Sequence, residues 1–95
     1  MTDIDASKQL YSDPYYMGLV TVESVVNGGV YVNTVIIGEN GERFTWRHNK
    51  HEKTKIAQAL SKPGDTCYVK YRVSNYSRYG IREIAYMRIR DPQGP

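Results

Sequence analysis

The sequence predicts an all-β fold: a small five-stranded barrel with one short helix between the third and fourth strands. Three observations predict this fold. The chain has 95 residues, which suits a single domain. Five segments rich in β-branched or alternating apolar residues are separated by Gly, Asn and Pro turn signals. One segment near the middle of the chain instead has the apolar spacing of a helix.

Turn signals divide the first half of the chain into three strands. Residues 17–26 and 30–38 are rich in Val, Ile and Thr, and the Asn-Gly-Gly sequence at 27–29 predicts the tight turn between them. The Asn-Gly pair at 40–41 predicts a type I′ hairpin, because both central residues of that turn need a positive φ. A third strand is expected over residues 42–48.

The third strand alternates between aromatic and basic residues. Phe44 and Trp46 point one way, while Arg43, Thr45 and Arg47 point the other. We expect the aromatic face to pack in the core and the basic face to meet solvent. The alternative is a reversed facing, in which the two rings form a stacking platform on the surface.

A short helix is predicted after the third strand. Asn49 lies three residues before Glu52, as in a capping box, and an apolar stripe continues to Leu60. The stripe consists of Ile56, Ala59 and Leu60, with Ala57 beside it. The Pro-Gly-Asp sequence at 63–65 ends the helix.

Two more strands complete the chain, separated by a seven-residue turn region at 74–80. Residues 66–73 place Tyr68, Lys70 and Arg72 opposite an apolar face of Cys67, Val69, Tyr71 and Val73. The fifth strand, 81–90, is expected to place Ile81, Ala85, Met87 and Ile89 on its apolar face and Arg82, Ile84, Tyr86, Arg88 and Arg90 on the other. Because Glu83 falls on the apolar face, a bulge is predicted there.

The order β-β-β-α-β-β over residues 17–90 resembles that of OB-fold (oligonucleotide/oligosaccharide-binding) domains. The resemblance rests on element order and length. It also extends to the small single-stranded DNA-binding proteins of bacteriophages, whereas an SH3-like barrel would usually lack the helix. The resemblance implies that the loop between the last two strands, with Tyr76, Arg78 and Tyr79, closes over a ligand.

The charges and tyrosines of the chain indicate a polyanionic partner. Residues 1–42 carry one base and six acids, whereas residues 43–95 carry twelve bases and four acids, for a net charge of +3. Nine of the eleven aromatic residues are tyrosines. A basic half with many flat, polar-tipped rings suits single-stranded nucleic acid, since bases stack on tyrosines while Lys and Arg hold phosphates.

We therefore predict a non-enzymatic protein that binds single-stranded nucleic acid, with DNA as the first candidate and RNA as the second. The predicted binding residues are Arg43, Arg47, Tyr68, Lys70, Arg72, Tyr76, Arg78, Tyr79, Arg82, Tyr86 and Arg88. Tyr31 and Asn33 on the second strand could extend this surface.

The sequence leaves three alternatives open. The basic tyrosine face is also typical of an ordinary solvated barrel exterior. Tyr and Arg are enriched in protein interfaces as well, so the chain could be a viral or host inhibitor that docks on an acidic or nucleic-acid-mimicking protein surface. An oligosaccharide-binding barrel is the third alternative, and its binding would depend little on salt.

Enzyme, cofactor and metal chemistry find little support in the sequence. His48 and His51 have no Cys or carboxylate pair to complete a zinc site, and Cys67 is expected to be a buried, inert thiol.

No apolar run is long enough to span a membrane, and a single cysteine is typical of the reducing cytoplasm. Residues 1–14 are expected to form a flexible acidic arm and residues 91–95 a tail around one domain, 15–90. Self-association of the chain remains open.

Overall fold

A computed structural model describes residues 15–90 as a closed barrel of five strands with one helix. The elements are β1 Tyr15–Gly28, β2 Tyr31–Ile37, β3 Arg43–Asn49, α1 Lys55–Ala59, β4 Thr66–Arg78 and β5 Ile81–Ile89. The strands follow the order β1-β2-β3-β5-β4 around the barrel, and β4 closes it by pairing with β1. All pairs are antiparallel except β3 with β5, which meet in parallel at Thr45 and Glu83. The predicted fold class is confirmed, while the predicted arm and tail lie outside the described residues.

Aromatic rings occupy the centre of the core. Phe44 is fully buried and packs edge-on against Tyr16 and Tyr71, with ring centroids 5.5 and 5.4 Å away. Trp46 is also buried, so the expectation that Phe44 and Trp46 face inward is confirmed and the stacking-platform alternative is wrong. Tyr71 is buried as well, and the other buried apolar residues are Val20, Val22, Ile36, Ile56, Ala57, Leu60, Val69, Val73, Ile84 and Met87.

The long strand β1 pairs with two different strands along its length. Its first half pairs with β4 and its second half with β2. The register with β2 shifts between Val22 and Ser24, which leaves Glu23 as a bulge. Because one extra residue reverses the alternation, the inward positions change from Val20 and Val22 to Val25, which packs against the core.

The positive-φ hairpin is not where the sequence predicted it. In the loop at residues 38–42, Gly41 N donates a hydrogen bond to Gly38 O at 3.0 Å. Only Gly41 has a positive φ there, 85°, whereas a type I′ turn needs two such residues, so the predicted turn type is wrong. A three-residue loop with a left-handed glycine at its end fits instead. The type I′ pattern occurs between β4 and β5, where Tyr79 (φ 58°) and Gly80 (φ 77°) are both positive.

The predicted turn region at 74–80 is mostly strand. β4 continues to Arg78, which pairs with Ile81, so the tight turn contains only Tyr79 and Gly80. Residues 74–76 form a bulge in β4. Between two paired positions, β4 advances by four residues, from Val73 to Ser77, whereas β5 advances by only two, between Arg82 and Ile84. The last part of the β4–β5 hairpin, residues 74–82, is called the ribbon below.

The helix is shorter than the sequence predicted and begins at another cap. Thr54, not Asn49, is the N-cap, and its Oγ1 accepts a hydrogen bond from Ala57 N at 3.3 Å. Asn49 instead accepts from His51 N within a turn, at 2.9 Å. Since no apolar residue precedes Ile56 in this segment, an earlier helical turn would have nothing to bury.

The bulge in β5 lies at Ala85 and not at Glu83. Tyr86 pairs with Arg72 and Ile84 with Val73, so Ala85 has no partner on β4. The predicted faces are therefore wrong at and before this bulge: Ala85 is exposed, Ile84 is buried, and Arg82 shares the face of Ile84 instead of that of Tyr86. Within residues 15–90, no helix is long and apolar enough to cross a membrane.

Candidate nucleic-acid interface

Three neighbouring strands present a basic, aromatic surface to solvent. On β4, Tyr68, Lys70 and Arg72 alternate with the buried Val69, Tyr71 and Val73, as the sequence predicted. Strands β1 and β5 pair with β4 on its two sides and place further outward residues beside these three. We call this the basic tyrosine surface; it consists of Tyr15, Met17 and Leu19 of β1, Tyr68, Lys70 and Arg72 of β4, and Tyr86 and Arg88 of β5.

The register arranges this surface in cross-strand rows. Arg72 lies between Tyr15 and Tyr86 across the three strands. In the next row, Lys70 lies between Met17 and Arg88, and its Nζ is 4.9 Å from the ring centroid of Tyr15. Tyr15 and Tyr86 are 59% and 49% exposed, which leaves ring area for a ligand. None of the eight residues carries a carboxylate.

Lys70 and Arg88 are directly opposite each other across β4 and β5. Like charges at opposed positions destabilise a sheet, because their side chains leave the backbone only about 5 Å apart. Neither side chain forms an ion pair with a carboxylate within residues 15–90. An anion bound over the two side chains would compensate their positive charges. The pair is therefore more easily explained by binding than by stability.

The ribbon carries the most exposed aromatic rings of the described chain. Tyr76 is 76% and Tyr79 is 85% exposed. Tyr79 also holds a left-handed conformation, which costs an L-residue about 1–2 kcal/mol that glycine would not lose. A strained, solvated ring at a hairpin tip gains nothing for the core, so it suggests a role in contacts with another molecule.

The predicted arginines do not share one face. Arg43 and Arg47 lie on the outer side of β3 beside β2, away from the basic tyrosine surface. Arg43 is bound to Glu23, with its Nη2 2.6 Å from Oε1, and the guanidinium of Arg47 lies 3.9 Å from the centroid of Tyr31. Asn33 is opposite Arg47 on this second surface.

The ribbon arginines are also distinct from Arg88. Arg78 Nε donates to Glu83 Oε2 at 2.9 Å, so its charge is already paired. Arg82 is two residues before the buried Ile84 and lies on the same face of β5. The bulge at Ala85 puts Tyr86 on the opposite face. The structure thus groups five of the predicted residues, Tyr68, Lys70, Arg72, Tyr86 and Arg88, and places the other six elsewhere.

Sequence reasoning missed the β1 part of this surface. Tyr15, Met17 and Leu19 are not among the predicted binding residues, although they alternate with Gly18 and Val20, which are buried. That alternation was the available signal. The Val-rich continuation of β1 obscured it, because the bulge at Glu23 puts the two halves of the strand out of phase.

Reactive groups are few in the described part of the chain. Burial raises the pKa of the Cys67 thiol, which keeps the thiol protonated and weakly nucleophilic. Over residues 15–90, no group of three or more His, Cys, Asp or Glu side chains is arranged to hold a metal ion.

Comparisons with known proteins returned no relative. No protein-family model matches the chain, and neither a curated protein nor a solved structure shows significant similarity to it. A function can therefore be inferred only from the residues and their geometry.

Proposed function

We propose that the barrel is an OB-like domain that binds single-stranded nucleic acid on its basic tyrosine surface. The strand order and the helix between β3 and β4 support the OB-like assignment. The observation that carries the binding proposal is the opposed pair of Lys70 and Arg88, set beside exposed tyrosines, with neither cation in an ion pair within residues 15–90. Such a surface attracts phosphates and offers rings to bases at the same time.

The cross-strand rows suggest a division of roles. Lys70, Arg72 and Arg88 hold phosphates, while Tyr15 and Tyr86 on either side of Arg72 stack on successive bases. Stacking on an aromatic side chain contributes about 1–3 kcal/mol per base and tolerates any sequence. The ribbon then adds Tyr76 and Tyr79 as a second stacking element.

A single strand fits this surface better than a duplex. In a duplex the faces of the bases are stacked on each other, so exposed tyrosine rings would have no partner. DNA remains the first candidate. RNA is distinguished from it only through contacts to the 2′-hydroxyl, which the experiment below compares directly.

Fluorescence anisotropy with labelled oligothymidine, oligouridine and duplex DNA tests the proposal. We expect the single strands to bind more tightly than the duplex, with an affinity that falls as salt is added by a log–log slope of about −0.7 per phosphate contacted. Tyr86→Ala should weaken binding about fivefold or more with little change in slope. Its matched control is Tyr31→Ala, a comparably exposed tyrosine on the other surface.

A protein partner is the competing function, and one observation favours it. Met17 and Leu19 are 52% and 43% exposed, and apolar side chains of this kind contribute more to protein interfaces than to phosphate contacts. If no oligonucleotide binds at low salt, the nucleic-acid proposal fails and the basic tyrosine surface is a protein interface. Equal affinity of Tyr86→Ala and wild type would instead refute the location of the site.

A further inference from the structure

A cavity of about 160 Å³ lies at one end of the barrel, between β1 and the loop at residues 38–42. It arises because β1 extends beyond β2. Thr21 pairs with Ile37, the last residue of β2, so the earlier residues of β1 pair with β4 alone. Sites for drug-sized ligands measure about 300–1,000 Å³, so this cavity has room only for a small group or the end of a side chain.

Glu39 lies against a strand position that has no side chain. A Cβ added to Gly18 would come within 2.5 Å of Glu39 Oε1, so the carboxylate occupies space that any other residue at position 18 would fill. Within residues 15–90 the carboxylate forms no hydrogen bond or ion pair, and no Lys, Arg or His lines the cavity. Glu39 therefore brings a negative charge to the cavity that no neighbouring side chain neutralises.

Tyr71 brings a second oxygen without a partner to the same cavity. The residue is only 4% exposed, and its hydroxyl forms no hydrogen bond within residues 15–90. The hydroxyl lies at the loop, because a Cβ added to Gly38 would be 3.0 Å from Tyr71 Oη and 3.5 Å from Asn40 Oδ1. A phenylalanine would give the same ring packing, so the hydroxyl is better explained by a ligand than by the fold.

The electric field at this hydroxyl is negative. Burial first, and then the charges of Tyr16, Glu42 and Glu39, raise the pKa of Tyr71 to about 12, so the hydroxyl stays protonated at neutral pH. Like Glu39, Glu42 forms no ion pair within residues 15–90. A cation is therefore attracted to this end of the barrel, whereas a phosphate is repelled.

The acceptors of the cavity match the donors of an ammonium group. Glu39 and Tyr71 each offer an oxygen, and Asn40 Oδ1 accepts only one hydrogen bond, from Glu42 N at 3.0 Å. A primary ammonium has three donors and no acceptor. Tyr16 stacks on Tyr71 with ring centroids 5.2 Å apart and also lines the cavity, and aromatic rings attract alkylammonium ions. A calcium ion usually takes about six to eight oxygen ligands, which suits a single carboxylate beside rings less well.

We propose that this cavity binds a primary ammonium group at the end of an aliphatic chain. The ammonium would donate to Glu39, Tyr71 and Asn40, while the chain would leave past Met17 and Leu19, which complete the lining. These last two residues also belong to the basic tyrosine surface, but none of the residues proposed to hold phosphates or bases lines the cavity. The inference thus goes beyond the proposed function and can fail separately.

The surroundings of the cavity favour one source of the ammonium group. A lysine side chain of a partner protein carries one positive charge, whereas a free diamine carries two. Outside the cavity, Met17 is directly opposite Lys70 of β4, so the second charge of a short diamine would meet another cation. We therefore expect a lysine side chain to bind more tightly than a diamine.

Amide NMR of the full chain, titrated with Nα-acetyl-lysine methylamide at constant ionic strength, tests the inference. The amide signals of Gly18, Glu39 and Asn40 should shift in a saturable way, with a dissociation constant of about 1–10 mM for so small a ligand. The signal of Gly80, in the ribbon, should move little. Nα-acetyl-norleucine methylamide keeps the aliphatic chain but lacks the ammonium group, so it should not bind.

Two glutamate variants give a matched comparison. Glu39→Gln should weaken binding of the lysine ligand about tenfold, because a charge-assisted hydrogen bond becomes a neutral one. Glu52→Gln neutralises an exposed glutamate beyond the other end of β3 and should leave the affinity unchanged. Tyr71→Phe keeps the ring in the core and should weaken binding about threefold, while its thermal midpoint stays the same or rises.

1,4-Diaminobutane, titrated in the same way, distinguishes the two sources. Tighter binding of the lysine ligand assigns the site to a protein side chain, tighter binding of the diamine assigns it to a free amine, and both results support the site. Arg88→Gln should leave these shifts intact, which separates this test from that of the proposed function. The inference is overturned if neither amine shifts the signals, if the norleucine ligand binds equally well, or if Glu39→Gln binds as tightly as wild type.

Discussion

Replacing Arg88 by glutamine removes one of the two cations that face each other across β4 and β5. Cross-strand neighbours on one face bring their head groups to within about 5–8 Å. At about 7 Å in water, two unit charges repel by about 0.6 kcal/mol, and physiological salt reduces this to about 0.25 kcal/mol. Arg88→Gln should therefore raise the free energy of unfolding by about 0.5 kcal/mol at low salt, and the gain should disappear at high salt.

Arg88 is the better residue to change, because Lys70 also contacts a ring. The Lys70 ammonium lies 4.9 Å from the centroid of Tyr15, an attraction of about 0.5–1 kcal/mol that Lys70→Gln would also remove. Urea denaturation of wild type and Arg88→Gln at several salt concentrations measures the effect. Lys53→Gln is the control, since it neutralises an exposed lysine outside the strands and should not alter the salt dependence of stability.

The same substitution should weaken binding of single-stranded DNA. Loss of one phosphate contact flattens the log–log salt slope by about 0.7, which at 0.1 M salt is about fivefold in affinity. Opposite effects on stability and binding are the signature we expect of a cation placed for a ligand. If Arg88→Gln lowers stability at every salt concentration and leaves oligothymidine binding unchanged, Arg88 is a structural residue and the reasoning is wrong.

Three further predictions follow from the ribbon and the core. Tyr79→Gly should stabilise the fold by about 1 kcal/mol, because glycine accepts a positive φ, and should weaken oligothymidine binding; thermal melts and anisotropy measure the two effects. Burial, and to a smaller extent the negative charges of Tyr16, Glu42 and Glu39, raises the pKa of Tyr71 to about 12, above its usual 10.0. The folded protein therefore holds this proton more tightly than the unfolded chain. Stability should thus fall as pH rises from about 10 to 12, and Tyr71→Phe should remove that part of the decline in a denaturation series across pH. Phe44→Ala should cost about 3–5 kcal/mol of the free energy of unfolding, with Phe44→Leu less costly, and an equal loss for both would contradict the central packing role of the ring.

Local patterns in the sequence were enough to predict the strands and much of their facing. Alternation over residues 66–73 correctly placed Val69 and Tyr71 in the core and Lys70 and Arg72 outside, because side chains of a strand must alternate. The inward facing of Phe44 and Trp46 followed from the same rule. These predictions held where the strand was regular.

The same rule failed wherever a strand contained an extra residue. The bulges at Glu23 and Ala85 reverse the alternation, and the second one brought Ile84 inward against expectation. A bulge is stabilised by the bend that the closing barrel requires, so the residues themselves give only a weak signal of it. Turn placement failed at residues 40–41 for a related reason, because the loop length depends on which residues of β2 and β3 pair.

By itself, the sequence determined the fold class, the basic and tyrosine-rich character of the second half and the direction of most side chains. Only the tertiary structure decided which of those side chains meet. Closure of the barrel through β1 and β4 placed Tyr15 beside Arg72, whereas the pairing of β2 with β3 took Arg43 and Arg47 to another face. Alternation is a property of one strand, but a binding surface is made by neighbouring strands, and the neighbours are chosen by the packing of the whole core.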